Sequence, residues 1–146
     1  MKVYLDTGVL GYVTHPKEKQ GAACARWLKS LLEGGAEVIV PEVCAYELRR
    51  EYLRRASKLA LTKLDALIGV TTYACVTSDI WTQAAHIWAQ CRNSAKPLAD
   101  DKALDGDVLL IATVKAAGAG SAVVATTNVG HLADHVDARL YEQIAL

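Results

Sequence analysis

Two acids flank a glycine in the stretch Leu104-Asp105-Gly106-Asp107-Val108-Leu109-Leu110-Ile111-Ala112-Thr113-Val114, and a long apolar segment follows at once. A carboxylate held beside a hydrophobic core is costly unless it is paired, hydrogen-bonded or bound to a cation. Other polar groups stand at comparable places. Asp6-Thr7 ends the first apolar run, Glu47 lies between Tyr46 and Leu48, and Thr126-Thr127-Asn128 closes the last apolar run. If these acids converge, they repel one another and raise one another's pKa values. A hard divalent cation relieves that repulsion, and an oxygen-only set without Cys or His points to Mg²⁺ or Mn²⁺ rather than zinc. Such an ion orients a water, makes it more acidic and neutralises charge building on a phosphodiester undergoing cleavage.

The elements that must position these groups alternate between strand and helix. Lys2 to Leu5 reads as a buried strand, and a helix begins near Gly8, which Asp6 is placed to cap. A helix from about Glu18 to Glu33 carries Ala22, Ala25, Leu28, Leu31 and Leu32 inward and stops at Gly34-Gly35. Ala36 to Val40 is uniformly apolar, as expected of a parallel strand covered on both faces. Pro41 opens a helix running to Arg55, with Val43, Tyr46 and Leu53 on one stripe and Glu47 at its edge. Ser57 to Ile68 is the second arm of a hairpin, with Leu61, Leu64 and Ile68 inward. Thr72 to Val76 is a third strand. Ser78 or Asp79 caps a helix to about Asn93 that carries Ile80, Ala84, Ile87, Trp88 and Cys91, with His86 an ordinary surface residue.

Asn93 to Ala103 reads as a loop with Pro97 and Asp100-Asp101-Lys102. It leads into the helix of Asp105 and Asp107, one of them in its first turn, where the helix dipole favours an acid. Leu104, Val108, Ile111 and Ala112 form that helix's buried face, and Gly118 and Gly120 stop it. Ala122 to Ala125 is a fourth strand, and the tail from about Ala138 to Ala145 adds a short strand or helix. Alternating strands and helices imply a mostly parallel sheet with helices on both sides. Right-handed crossovers bring the strands' carboxyl ends to one edge, where ligands of open α/β sheets bind. Asp6, Glu47, Asp105, Asp107 and Asn128 are expected to meet there.

The 146 residues suit a single domain, 1–146, and an apolar and aromatic share of 52% excludes a disordered tail. The net charge of zero argues against gripping nucleic acid by charge alone. Locally, Arg49, Arg50, Arg54, Arg55, Lys58 and Lys63 outnumber Glu47 and Glu51, which makes either a solvated face or a phosphate-tracking surface. Cys24, Cys44, Cys75 and Cys91 are too scattered for a zinc ribbon or a redox pair and read as small buried residues of a reducing compartment. There is no signal peptide and no uncharged run near the roughly 20 residues that cross a bilayer, so a cytoplasmic protein is expected.

Taken in order, Val3-Tyr4-Leu5-Asp6-Thr7, Pro41-Glu42-Val43-Cys44-Ala45-Tyr46-Glu47-Leu48, Leu104-Asp105-Gly106-Asp107-Val108-Leu109-Leu110-Ile111-Ala112 and Val124-Ala125-Thr126-Thr127-Asn128-Val129-Gly130-His131-Leu132 resemble PIN-domain ribonucleases, above all the toxin of VapBC-type toxin–antitoxin systems. The resemblance spans essentially the whole chain. It implies a three-layer α/β/α fold around a four- or five-stranded, mostly parallel sheet, and a Mg²⁺- or Mn²⁺-dependent endonuclease acting on RNA. It further implies a homodimer and an antitoxin whose tail covers the active site. In this reading Asp6, Glu47 and Asp107 are the family's first three acids, with Asp105 a further ligand or orienter. Asn128 stands where many members carry a fourth acid, which touches only a second metal site. Thr7 and Thr127 match hydroxyl positions near metal-held water or phosphate. His131 stands where an acid or polar residue is common. Separately from the resemblance, Arg49 and Arg50 of the basic run are the candidate substrate-binding cations.

Two other readings compete. A PIN-like module that binds RNA or protein without catalysis is suggested by the uncharged Asn128. A phosphatase-like hydrolase built on Asp6 needs a second acid two residues on, where this chain has Gly8.

Overall fold

The computed structural model describes residues 1–15, 19–94, 101–118, 120 and 122–146, with only the backbone of Lys19, of residues 101–104 and of His131. Five strands form one sheet: β1 (Lys2–Leu5), β2 (Glu37–Pro41), β3 (Thr72–Ala74), β4 (Ala122–Thr126) and β5 (Ala138–Leu140). Their spatial order is β3-β2-β1-β4-β5, and every pair is parallel. Six α-helices are described around it: α1 (Thr7–Thr14), α2 (Lys19–Glu33), α3 (Glu42–Arg54), α4 (Lys58–Val70), α5 (Ser78–Asn93) and α6 (Asp101–Ala116). Among the described residues, no helix is long and apolar enough to cross a membrane.

Burial follows position in the sheet. The central strands bury Val3, Tyr4 and Leu5 on β1, Val38, Ile39 and Val40 on β2, and Val123, Val124 and Ala125 on β4, the pattern of strands covered on both faces. The edge strands are short and partly exposed, and β5 carries Arg139 toward solvent, which discourages further strand addition. The tail supplies both alternatives foreseen for it: β5, then a 3₁₀ turn at Tyr141–Gln143.

Several expectations are corrected. Helix α6 begins at Asp101, so the backbone of Asp101, Lys102 and Ala103 is helical rather than loop, and neither Asp105 nor Asp107 lies in the first turn. The dipole acts within that turn and explains neither acid. Every residue from Val108 to Val114 is buried, so α6 is covered nearly all round rather than along one stripe. On α3 the inward residues are Val43, Cys44, Ala45, Leu48 and Tyr52, whereas Tyr46 and Leu53 are exposed. Ala22, Leu32 and Trp88 are likewise exposed, and Cys75 is the exposed exception among the cysteines. The cap of α5 is Thr77, whose hydroxyl accepts from Ile80 N at 3.3 Å. His86 is exposed as expected. Glu18, Pro97 and Asp100 lie outside the described residues, as do the side chains of Leu104 and His131.

Candidate active site

Parallel pairing brings the ends of β1 and β4 side by side. Leu5 pairs with Ala125, and Asp6 N donates to Ala125 O at 3.0 Å. Asp6 is therefore the first residue past β1, next to Thr126 at the end of β4. Its Oδ1 accepts from Thr7 N at 2.7 Å and caps α1, and its Oδ2 accepts from the Thr126 hydroxyl at 2.6 Å. Capping and a place in the site are thus combined in one side chain. Burial pushes the Asp6 carboxyl above its ordinary value, and the bonds from Thr126 and Thr7 offset only part of that rise.

Thr7 links this carboxylate to the next. Its hydroxyl donates to Glu47 Oε2 at 2.5 Å across forty residues of sequence. Glu47 lies in the second turn of α3, which starts directly after β2 at the same edge. It reaches Thr7 rather than an arginine of its own helix. The buried Cys44 thiol, one turn earlier, is pushed well up by burial and then by the Asp6 charge, with Glu47 adding to it.

The third segment meets Glu47 at Gly106. A methyl group on Gly106 would overlap Glu47 Oε1 and stand 3.2 Å from its Cδ. Glycine here lets a carboxylate lie flat on α6. Asp105 and Asp107 flank that contact, each roughly 100° round the helix from Gly106. Asp105 is exposed and lines the same cleft as Glu47; Asp107 is half-buried. Among the described residues, no three His, Cys, Asp or Glu side chains are arranged to hold a metal ion.

The remaining expected residues divide. Thr127 is exposed and packs its hydroxyl against Gly8, which has no room for a methyl group. Asn128 is exposed, and its backbone N–H donates to the Thr126 hydroxyl at 3.1 Å. Arg49 is held by Asp65 of α4 at 2.6 Å, and Arg50 lies over the Tyr46 ring, 5.3 Å from its centroid. Thr126 was named from sequence only among the polar groups closing the last apolar run, with no role of its own. It is fully buried and is the only polar residue of β4; a hydroxyl at the end of a central apolar strand, in register beside Asp6, was the available signal.

A cleft of about 790 Å³ opens between α3, α5 and α6, with Glu47, Asp105 and Gly106 in its lining and Tyr46, Trp81 and Trp88 as its aromatic residues.

Residues 3–138 match the PIN domain family. No curated protein matches the chain in sequence. Among solved structures, a chain of VapBC2 from Rickettsia felis, bound to a promoter DNA fragment, superposes with a TM-score of 0.74 at 12% identity, covering 96% of this chain and 98% of that one. VapC20 of Mycobacterium tuberculosis, described as a sarcin–ricin loop cleaving toxin, gives 0.67 at 14% identity, covering 92% and 95%. A chain of VapBC-1 from nontypeable Haemophilus influenzae gives 0.68 at 11%, covering 98% and 100%. At these identities the likeness is one of fold.

Proposed function

The chain belongs to the PIN domain family, and on that premise we propose that it is a divalent-cation-dependent endoribonuclease, the toxin of a toxin–antitoxin pair. The observation that carries this reading is the Asp6–Thr7–Glu47 link, which ties acids from two distant segments to one point at the carboxyl edge of the sheet. The fold of VapBC chains supports the toxin assignment.

The donor chemistry fits Mg²⁺ or Mn²⁺. Mg²⁺ commonly takes one or two carboxylates and keeps several waters, and Asp6 and Glu47 offer such a pair. Asp107 and Asp105 would complete the set from α6, and Gly106 is the cradle that leaves space for Glu47. When bound, the cation supplies a nucleophilic water and neutralises charge developing on the phosphodiester. The protein's own groups do the positioning. Thr7 N–H and the Thr126 hydroxyl fix both oxygens of Asp6, and the Thr7 hydroxyl aims Glu47. In-line attack by water on the phosphorus, with the 3′-oxygen as leaving group, would leave a 5′-phosphate and a 3′-hydroxyl.

The test is cleavage of single-stranded RNA in Mg²⁺ or Mn²⁺. Asp6→Asn, Glu47→Gln and Asp107→Asn should each lower kcat/KM by more than about 100-fold, since even outer-shell partners of such sites are worth 10–100-fold. Circular dichroism should show an intact fold. Full activity in these variants, or in excess EDTA, would reject the reading. The same proposal carries a homodimer and a cognate antitoxin covering the site. The uncharged, exposed Asn128 favours the second reading, a module that binds without turnover, and robust cleavage in Mn²⁺ eliminates it.

A further inference from the structure

Three of the six basic residues between Glu47 and Lys63 are ion-paired within the protein. Arg49 is paired with Asp65, and Arg54 and Arg55 both engage Glu51, whose carboxyl Arg54 above all holds down to about 2. Arg50 behaves differently. Its guanidinium lies over the Tyr46 ring and lines the cleft beside Glu47. The facing wall is α5, where Trp81, Ala84, Ala85 and Trp88 fall at helical spacing on the cleft side. Arg92 lies over Trp88 at 5.2 Å from the ring centroid. Trp81 is 58% exposed and Tyr46 60%, and grouped exposed aromatics of this kind mark a binding surface.

Resting on the nuclease reading above, we propose that this cleft is a nucleobase subsite, which takes an unpaired base adjoining the scissile phosphodiester. The base stacks on Trp81 and Trp88, and Arg50, backed by Tyr46, meets the neighbouring phosphate. Continuity selects nucleic acid as the occupant. Glu47, Asp105 and Gly106 belong to both the cleft and the candidate centre, so a strand whose phosphate is cleaved there passes Tyr46, next to Glu47 in sequence, and Arg50, about one helical turn on. Aromatic platforms interleaved with arginine are the means by which single strands are held irrespective of sequence. Duplex bases cannot enter, because each must leave its stack to lie between α3 and α5. The device compensates for a chain with no net positive charge.

The experiment measures binding in EDTA, where turnover is suppressed, through intrinsic tryptophan fluorescence. Its probes are a short single-stranded oligoribonucleotide, the same strand in a duplex, and an abasic counterpart. The single strand should quench strongly and the other two weakly. Trp81→Ala and Trp88→Ala should each weaken single-strand binding roughly tenfold, and Trp81→Tyr should restore most of it. Arg50→Gln should weaken single and abasic strands alike and flatten the salt dependence. Trp81 is the more exposed of the pair, so its variant carries the test should Trp88→Ala melt early. Equal affinity for the abasic strand overturns the proposal, as does unchanged binding by a folded Trp81→Ala. Quenching by an amphipathic helical peptide, with none by the oligonucleotide, overturns it in favour of a protein-binding groove. Cleavage without base-dependent binding sinks the subsite alone; base-dependent binding with no cleavage in Mn²⁺ sinks the nuclease reading alone.

Discussion

The two edges of the sheet use glycine for opposite reasons. At the carboxyl edge, Gly8 and Gly106 have side chains pressed against the place where a Cβ would go: Thr127 in one case and Glu47 in the other. At the amino edge, Gly118 follows the last turn of α6 with φ +84°, and among the described residues nothing lies within 4 Å of a Cβ built there. Gly118 serves its own backbone, ending a helix in a conformation other residues adopt at a cost. Gly106 serves a carboxylate from another helix. Past the end of α6 the chain is thus shaped by its own geometry, and in the second turn of α6 by a partner side chain, so substitutions at the two places should fail differently.

The largest effect tests the carboxyl edge. In Gly106→Ala the group that must yield is the flexible end of Glu47, not backbone. Glu47 swings away, and the helix gains the roughly 0.5–1 kcal/mol by which Ala exceeds Gly in a helix interior. Melting temperature should hold or rise while cleavage falls about 10–100-fold, the range seen when a ligand's support is lost. Shortening the offending side chain by Glu47→Asp in the same background should recover part of the loss, and a double-mutant cycle would measure the coupling. Unchanged cleavage in Gly106→Ala would remove the Glu47–α6 contact from the site.

Why Gly106 was not singled out from sequence alone bears on what could be read there. The order of strands and helices was legible because apolar runs and turn residues report local periodicity. The meeting of Asp6 and Glu47 at one edge followed from parallel topology. Contacts were not legible. Thr7 as the bridge, Thr126 as the second support of Asp6, and Glu47 lying on Gly106 all depend on register and on helix rotation. Tyr46 and Leu53 misled for a related reason: an apolar residue at helical spacing reads as core, whereas on α3 the stripe of Leu48 and Tyr52 wins the interior. The tertiary fold, not hydrophobicity, decided which face of α3 turned outward.

An intermediate effect separates the edges by charge. Asp6 is a half-buried acid whose folded pKa is raised, chiefly by desolvation. The native state therefore holds its proton more tightly than the unfolded chain does. Its favourable contribution is complete below the unfolded value and is lost as pH rises through the folded one. In EDTA, Asp6→Asn should melt higher than the wild type at neutral pH, with the gap narrowing and closing as pH falls below the carboxylate range. Melting curves across pH check it, and a gap that widens toward acid would mean that the bonds from Thr7 and Thr126 outweigh burial. No such pH signature belongs to Gly118, which carries no charge.

The smallest effect falls at the amino edge and isolates backbone strain. Gly118→Ala places a methyl group in open space, so only the left-handed φ matters, at about 1 kcal/mol. For a chain of this size that lowers the melting temperature by a few degrees. Cleavage should remain at the wild-type level, because α6 runs about 15 Å from Gly106 to its far end and its buried middle, Val108 to Val114, holds the helix in place from all sides. Gly106→Ala and Gly118→Ala then form a crossed pair, the first losing activity without stability and the second losing stability without activity. Should Gly118→Ala reduce cleavage as well, α6 would have to shift as a rigid rod, and the placement of Glu47 would depend on the whole helix rather than on the single missing methyl group at Gly106.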